Sequence, residues 1–400
     1  MAERVAVVAS ARTPIGKFLG SFADLTASDL GAVATRGVLE RAGVDPSEVD
    51  ELIYGCARQA GGGPNMARQV AMKSGIPKER PAFTVNQACG SGLQAIILGA
   101  ERIVLGRARI VLAGGGESMT RVPYFLDRAR LGYRLGNAKV VDGMYQDGFL
   151  DPICGMVMGE TAEKLADLYS ISREEQDAFA LESQRKAGEA IRSKRLEPEI
   201  VPVEIAGKKG ETRTIAADEH PRPDTTLAEM AKLPPVFRKD GTVHAGNASG
   251  ITDGAASLVL AAESVVKERG WTPQAWLGES VTVGVDPSIM GIGPVPATRQ
   301  LLAKTGRALS DYELIELNEA FAAQVIACDR DLALDKAKLN VNGGAIALGH
   351  PIGATGARIV TTLLHEMGRR GARLGLATLC VSGGLGLAVE FIRDGKEGRA

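Results

Sequence analysis

The chain has 400 residues, 45% of them hydrophobic, with 47 Lys and Arg against 48 Asp and Glu. That length allows two or more domains around ample core, and the charge balance excludes the basic field on which non-specific nucleic-acid binding depends. No apolar run reaches the ~18 residues of a membrane span and MAERVAVVASARTP holds no signal-peptide core, so a cytoplasmic protein without membrane or nucleic-acid partners is expected.

In chain order, RVAVVAS (4–10) and DELIYGCA (50–57) read as buried strands. The amphipathic stretch SDLGAVATRGVLERAG between them is a helix closed by Gly43. AFTVNQACGSGLQAIILGAERIVLGRARIVLAGGG then runs strand, Val-Asn, glycine-rich turn, helix, strand. Residues 120 to 250 break this pattern with RVPYFLDRARLGYRLGN, a long helical ISREEQDAFALESQRKAGEAIRSKR and a Pro-rich DEHPRPDTT, and read as an inserted loop domain. Its basic residues, Arg192, Lys194, Arg195, Lys208, Lys209, Arg213 and Arg222, form either solvated faces or a surface for an anionic cofactor tail.

The opening grammar then returns as WLGESVTVGVDP, GPVPATRQLLAKTGRALS and DYELIELNEAF. KLNVNGGAIALGHPIGATGARIVTTLLHEMGRRGARLGLATLCVSGG repeats the strand, glycine turn, helix, strand module, and AVEFI closes an antiparallel hairpin. A duplicated α/β module with a mainly parallel sheet in each half is the expected architecture.

Five cysteines (56, 89, 154, 328, 380) are scattered without a Cys-x-x-Cys pair, which reads as reduced thiols, with no metal or permanently bound cofactor expected. Leu93, Ile96, Ile97, Ala100, Ile103 and Val104 follow helical spacing, so a helix starts close to Cys89. The thiol then sits at a positive helix end that favours thiolate, as a nucleophile requires. On that stretch alone, a small buried hydrophobe is an equal reading.

His350, one of four histidines, precedes Pro351, which suits a first helical position, and holds the counterpart place in the repeated module. A Cys and a His so placed can face each other across a pseudo-dyad. Asn318 ends the strand ELIEL, where an amide can orient a water or share an oxyanion. Cys380 ends a buried run before a glycine turn, where a thiol can serve as general acid or base.

NQACGSG, GNASGITDGAA, NEAFA, NVNGGAIALGHPIGATGAR and TLCVSGG, in this order and spacing, resemble the thiolases, the acetyl-CoA acyltransferases, over essentially the whole chain. The resemblance implies two βαβαβαββ halves in a layered α-β-α-β-α core with an inserted loop domain. The divisions are residues 1–119 with 251–270, residues 120–250 and residues 271–400. It implies a homodimer or homotetramer acting on coenzyme A, acetyl-CoA and other acyl-CoA substrates, by reversible cleavage of 3-ketoacyl-CoA or Claisen condensation. In that chemistry Cys89 carries the acyl group, His350 takes its proton, and Cys380 moves the α-proton. Asn318 holds a water that shares one oxyanion with His350, while the backbone N–H groups of Cys89 and Ser382 hold the other.

The resemblance also carries Ser249 and Phe237 to the pantetheine channel, and Met158 and Met290 to the acyl pocket. Phe321 and Leu150 are carried to substrate contact, and Arg222 to the adenine end. Two positions depart from the family pattern: Ser382 stands where Gly is usual, and Val157 where acetoacetyl-specific members have His. The second departure points away from the short-chain acetoacetyl-CoA type. A Cys-His hydrolase or amidotransferase has no use for Cys380, and a carrier-protein condensing enzyme is expected to show His in place of Asn318. A non-catalytic acyl-CoA-binding relative is expected to lack one of the four residues.

Overall fold

The computed structural model describes residues 3–207 and 211–394. One ten-stranded sheet runs through it. From edge to edge its path is Ala82–Val85, Glu51–Gly55, Ile110–Ser118, Thr252–Ala262, Val5–Arg12, Ala275–Gly284, Leu385–Ile392, Leu374–Val381 and Leu314–Leu317, with Gly16–Lys17 pairing to one side. This order is symmetric about the pairing of Val5, Ala6 and Val7 with Leu277, Trp276 and Ala275, where the sheets of the two halves join. The duplication read from the sequence is therefore a pseudo-twofold in the fold.

Each half is mixed rather than mainly parallel. Parallel pairing is confined to the outer strands. Leu374–Val381 and Leu385–Ile392 are joined by a tight turn, with no helix to carry the chain back, and so must pair antiparallel. The strand expected before NVNGG is reduced to a single bridge between Leu339 and Ile315.

Two helices, Ser91–Val104 and Ile352–Arg370, pack against each other and are covered by strands of both halves. A Cβ on Gly92 would lie 2.9 Å from the Ala357 nitrogen and 2.9 Å from the Gly353 oxygen, so glycine is what permits this approach. Ala27–Ala42 covers the outer face of the first half and Pro294–Thr305 that of the second, completing the α-β-α-β-α order. The first of these starts with a Thr26–Asp29 capping box and ends at Gly43 with φ 61°, the stop its sequence indicated.

Residues 119–251 connect Ile110–Ser118 to Thr252–Ala262, the same junction that the Ser382–Gly384 turn closes in the other half. The segment adds three two-stranded pairings and the helices Met158–Leu168 and Arg173–Arg192. Arg12, fully buried in the sheet, anchors it by donating to both oxygens of Asp218 at 2.7 and 2.9 Å, and to Glu199 at 2.5 Å. Arg192 and Arg195 pair with Glu189, and Lys194 with Glu197, so this basic cluster is a solvated face. Arg213 lies exposed on a short hairpin, while Lys208 and Lys209 lie outside the described residues.

Candidate active site

Cys89 stands in a tight turn between the strand Ala82–Val85 and the helix Ser91–Val104. The Ser91 hydroxyl donates to Ala88 O at 2.7 Å and accepts from Gln87 N at 2.9 Å, and Gly90 N donates to Gln87 O at 2.9 Å. These bonds hold Ala88 at φ 44°, a left-handed conformation that a residue with a side chain adopts only when its surroundings enforce it. The helix opens at Ser91, and its neighbour Gly90 makes no side-chain cap.

The thiol faces a cavity of about 530 Å³. Cys380, at the end of Leu374–Val381, opens on the same cavity, as do His350 and Ser382. The backbone N–H of Ser382 favours negative charge on the Cys89 sulfur. The two thiols are near enough that negative charge on Cys89 raises the pKa of Cys380.

His350 directly precedes Pro351, which caps the helix Ile352–Arg370 rather than occupying its first turn. Its Nδ1 is 2.6 Å from the Thr355 hydroxyl, which itself donates to Pro351 O at 3.0 Å. With its one proton committed to Pro351, Thr355 can only accept from the ring, so Nδ1 carries the hydrogen and Nε2 presents its lone pair. Nε2 is buried and has no protein partner among the described residues. Asn318 donates its backbone N–H to Thr378 O at 3.0 Å, and both polar atoms of its buried amide are likewise unpartnered.

Burial raises the Cys89 thiol, against the helix-end expectation, although the Arg58 charge and the Ser382 and Cys89 N–H groups oppose it. The helix begins two residues beyond Cys89, and desolvation is the largest influence on the thiol. Burial also lifts Cys380 far above the ordinary thiol range. His350 is pushed down to about 3, first by burial and then by the charges of Arg358 and Arg58. At neutral pH the site therefore holds two thiols and a neutral imidazole.

The thiolase N-terminal domain family matches residues 5–264 and the thiolase C-terminal domain family residues 271–393. The chain belongs to the thiolase family. This thiolase is accordingly an acyltransferase. It is 51% identical to the acetyl-CoA acetyltransferase of Pseudomonas aeruginosa over 98% of this chain and 100% of that one. The crystal structure of the Bacillus anthracis acetyl-CoA acetyltransferase superposes with a TM-score of 0.96 at 45% identity, covering 98% of this chain and 99% of that one. Human mitochondrial 3-ketoacyl-CoA thiolase in complex with CoA gives 0.94 at 44% identity, covering 98% of each chain.

Of the residues singled out from sequence, Met158, Met290, Phe237, Phe321, Ser249 and Arg222 line the thiolase cavity, with Arg222 exposed. Phe237 and Phe321 meet edge to face at 6.2 Å. Asn318 is not a lining residue, and Leu150 stands apart. It is 40% exposed and lines a neighbouring depression together with Ser382 and Gly383.

Three residues that the sequence reading passed over hold the site together. Thr355 fixes the ring of His350, and its place in GHPIGAT, one turn past the histidine, was the available signal. Glu117 accepts from the backbone nitrogens of Ala57, Arg58 and Gly353 at 3.0, 3.0 and 2.8 Å, tying a cavity-lining loop to the start of the His350 helix. Asp177 is 2.6 Å from His244 Nε2 and so steadies the loop that carries Ser249; nothing local in the sequence marked it.

Proposed function

We propose that this thiolase catalyses the reversible CoA-dependent cleavage of 3-ketoacyl-CoA, and in reverse the condensation of an acyl-CoA with acetyl-CoA, through an acyl-enzyme on Cys89. The carrying observation is that one cavity holds Cys89, from a turn of one half, and Cys380, from a strand end of the other, beside a histidine whose Nε2 lone pair is free. An ordinary Cys-His hydrolase needs only one of those thiols.

In cleavage, the Cys89 sulfur bonds to the 3-keto carbon and its proton passes to His350 Nε2. The neutral imidazole makes this transfer as the C–S bond forms, rather than by resting as an ion pair. The C2–C3 bond then breaks, and the enolate carbon of the departing acetyl-CoA takes the Cys380 proton. CoA-SH gives its proton to the Cys380 thiolate and attacks the thioester, and Cys89 leaves as thiolate to be reprotonated by His350. The N–H groups of Cys89 and Ser382 stabilise one oxyanion; His350, with a water held by Asn318, stabilises the other. Only the amide N–H of Ser382 is used, so the serine side chain is compatible with this role.

Phe237 and Ser249 flank pantetheine in this reading, Met158 and Met290 the acyl chain, and Arg222 the nucleotide end. Residues 1–119 with 251–270, 120–250 and 271–400 act as the three structural units of a cytoplasmic homodimer or homotetramer. Among the described residues no helix is long and apolar enough to cross a membrane. The test is incubation with acetyl-CoA and no acceptor. One acetyl thioester on Cys89, absent in Cys89→Ala, supports the reading; a label on another cysteine, or none, refutes it.

A further inference from the structure

Arg58 is 9% exposed and lies in the wall of the reactive cavity, yet its Nε has no hydrogen-bond partner and no carboxylate among the described residues pairs with its guanidinium. Glu117 holds only the backbone of Arg58, and its two oxygens are taken up by three backbone N–H groups. A largely buried guanidinium without a paired carboxylate is costly, and a group left so calls for a partner.

The surroundings are shaped to the charged group. Gly148 lies in a five-residue π-helical turn, Tyr145–Phe149, a form that recurs at functional sites. A Cβ on Gly148 would lie 2.7 Å from Arg58 Nε, 2.9 Å from Cζ and 2.9 Å from Nη2. The guanidinium thus lies flat over a position that only glycine leaves open. Its charge is felt at both Cys89 and His350, which puts it at the reacting end of the cavity rather than at the nucleotide mouth.

We infer that Arg58 is a specificity-determining residue that receives a carboxylate on the acyl portion of the substrate, making 3-oxo dicarboxylyl-CoA thioesters the preferred class. The inference rests on the thiolase reading above and narrows it. A planar guanidinium binds a carboxylate through two parallel N–H donors, a geometry that a neutral chain end cannot use. Tyr145, Phe149 and Met119 line the cavity alongside it and would cover the methylenes between carbonyl and carboxylate.

The test compares two six-carbon thioesters, 3-oxoadipyl-CoA and 3-oxohexanoyl-CoA, with the unmodified full-length enzyme. The diacid is expected to be favoured in kcat/KM on the order of tenfold or more. Arg58→Leu should collapse that ratio to unity or below, with Arg58→Lys intermediate. A wild-type enzyme that favours the neutral thioester overturns the inference without recourse to any variant. An Arg58→Leu loss shared equally by both substrates also overturns it, and would make Arg58 an electrostatic aid to Cys89. Acetyl labelling of Cys89 in the same preparation separates the two readings: a labelled enzyme without diacid preference sinks the inference alone, whereas an unlabelled one sinks the thiolase chemistry with it.

Discussion

Replacing Thr355 with Val tests how the base is aimed. The substitution keeps the branched shape at a fully buried position and removes the acceptor 2.6 Å from His350 Nδ1. The Pro351 oxygen keeps a bond from Ala354 N at 2.8 Å, so the helix start is not orphaned. What is lost is the partner of a buried N–H, about 1–3 kcal/mol, and with it the preference for the tautomer whose Nε2 is basic. At 1.36 kcal/mol per decade, acetylation of Cys89 should slow by roughly 5- to 150-fold. The assay is rapid-quench labelling with acetyl-CoA followed by mass spectrometry, with the melting temperature measured alongside. Thr355→Ser keeps the hydroxyl and should recover most of the rate. A Val variant within twofold of the wild type, or a Ser variant equally slow at an unchanged melting temperature, would refute this account of the histidine.

Cys380→Ser should still acquire acetyl on Cys89 while losing overall turnover by a factor on the order of 10² or more, since general acid–base work belongs to the second substrate; parallel loss of labelling would make Cys380 structural. Because burial lifts the Cys89 thiol and a raised pKa withholds thiolate until higher pH, iodoacetamide alkylation of Cys89 should keep rising through pH ~8.5. A plateau reached by about pH 6 would instead reveal a resting thiolate. Val157 lines the cavity beside Met158, and each added buried methylene contributes ~0.8 kcal/mol, so 3-ketohexanoyl-CoA should be cleaved with kcat/KM at least comparable to acetoacetyl-CoA. A tenfold preference for acetoacetyl-CoA would return the protein to the short-chain type.

What the sequence disclosed was whatever leaves a periodic or repeated trace. The Ala27–Ala42 helix with its Gly43 stop, the hairpin after Cys380 and the placing of Cys89 and His350 on one cavity all rest on local spacing. What it concealed depends on distant neighbours. The Cys89 thiol is raised rather than lowered because burial is set by the whole cavity, not by the adjoining helix. Arg58, in CARQAGGG, reads as an ordinary loop cation until the fold buries it over Gly148. Leu150 was carried over by motif position, and a motif says nothing of which side chains border the empty space.

The same strand junction is bridged in one half by Ser382–Gly384 and in the other by residues 119–251. The short bridge lies beside Cys380 and abuts Cys89, whereas the long one supplies Met119, Tyr145, Gly148, Phe149, Val157, Met158 and Phe237 to the cavity wall. Reactive groups and shape-giving groups are thus inherited on separate stretches of chain. A lineage can lengthen, trim or repaint the long bridge generation after generation while the atoms that make and break bonds stay where they were, and a single ancestral reaction can spread across many substrates without ever being reinvented.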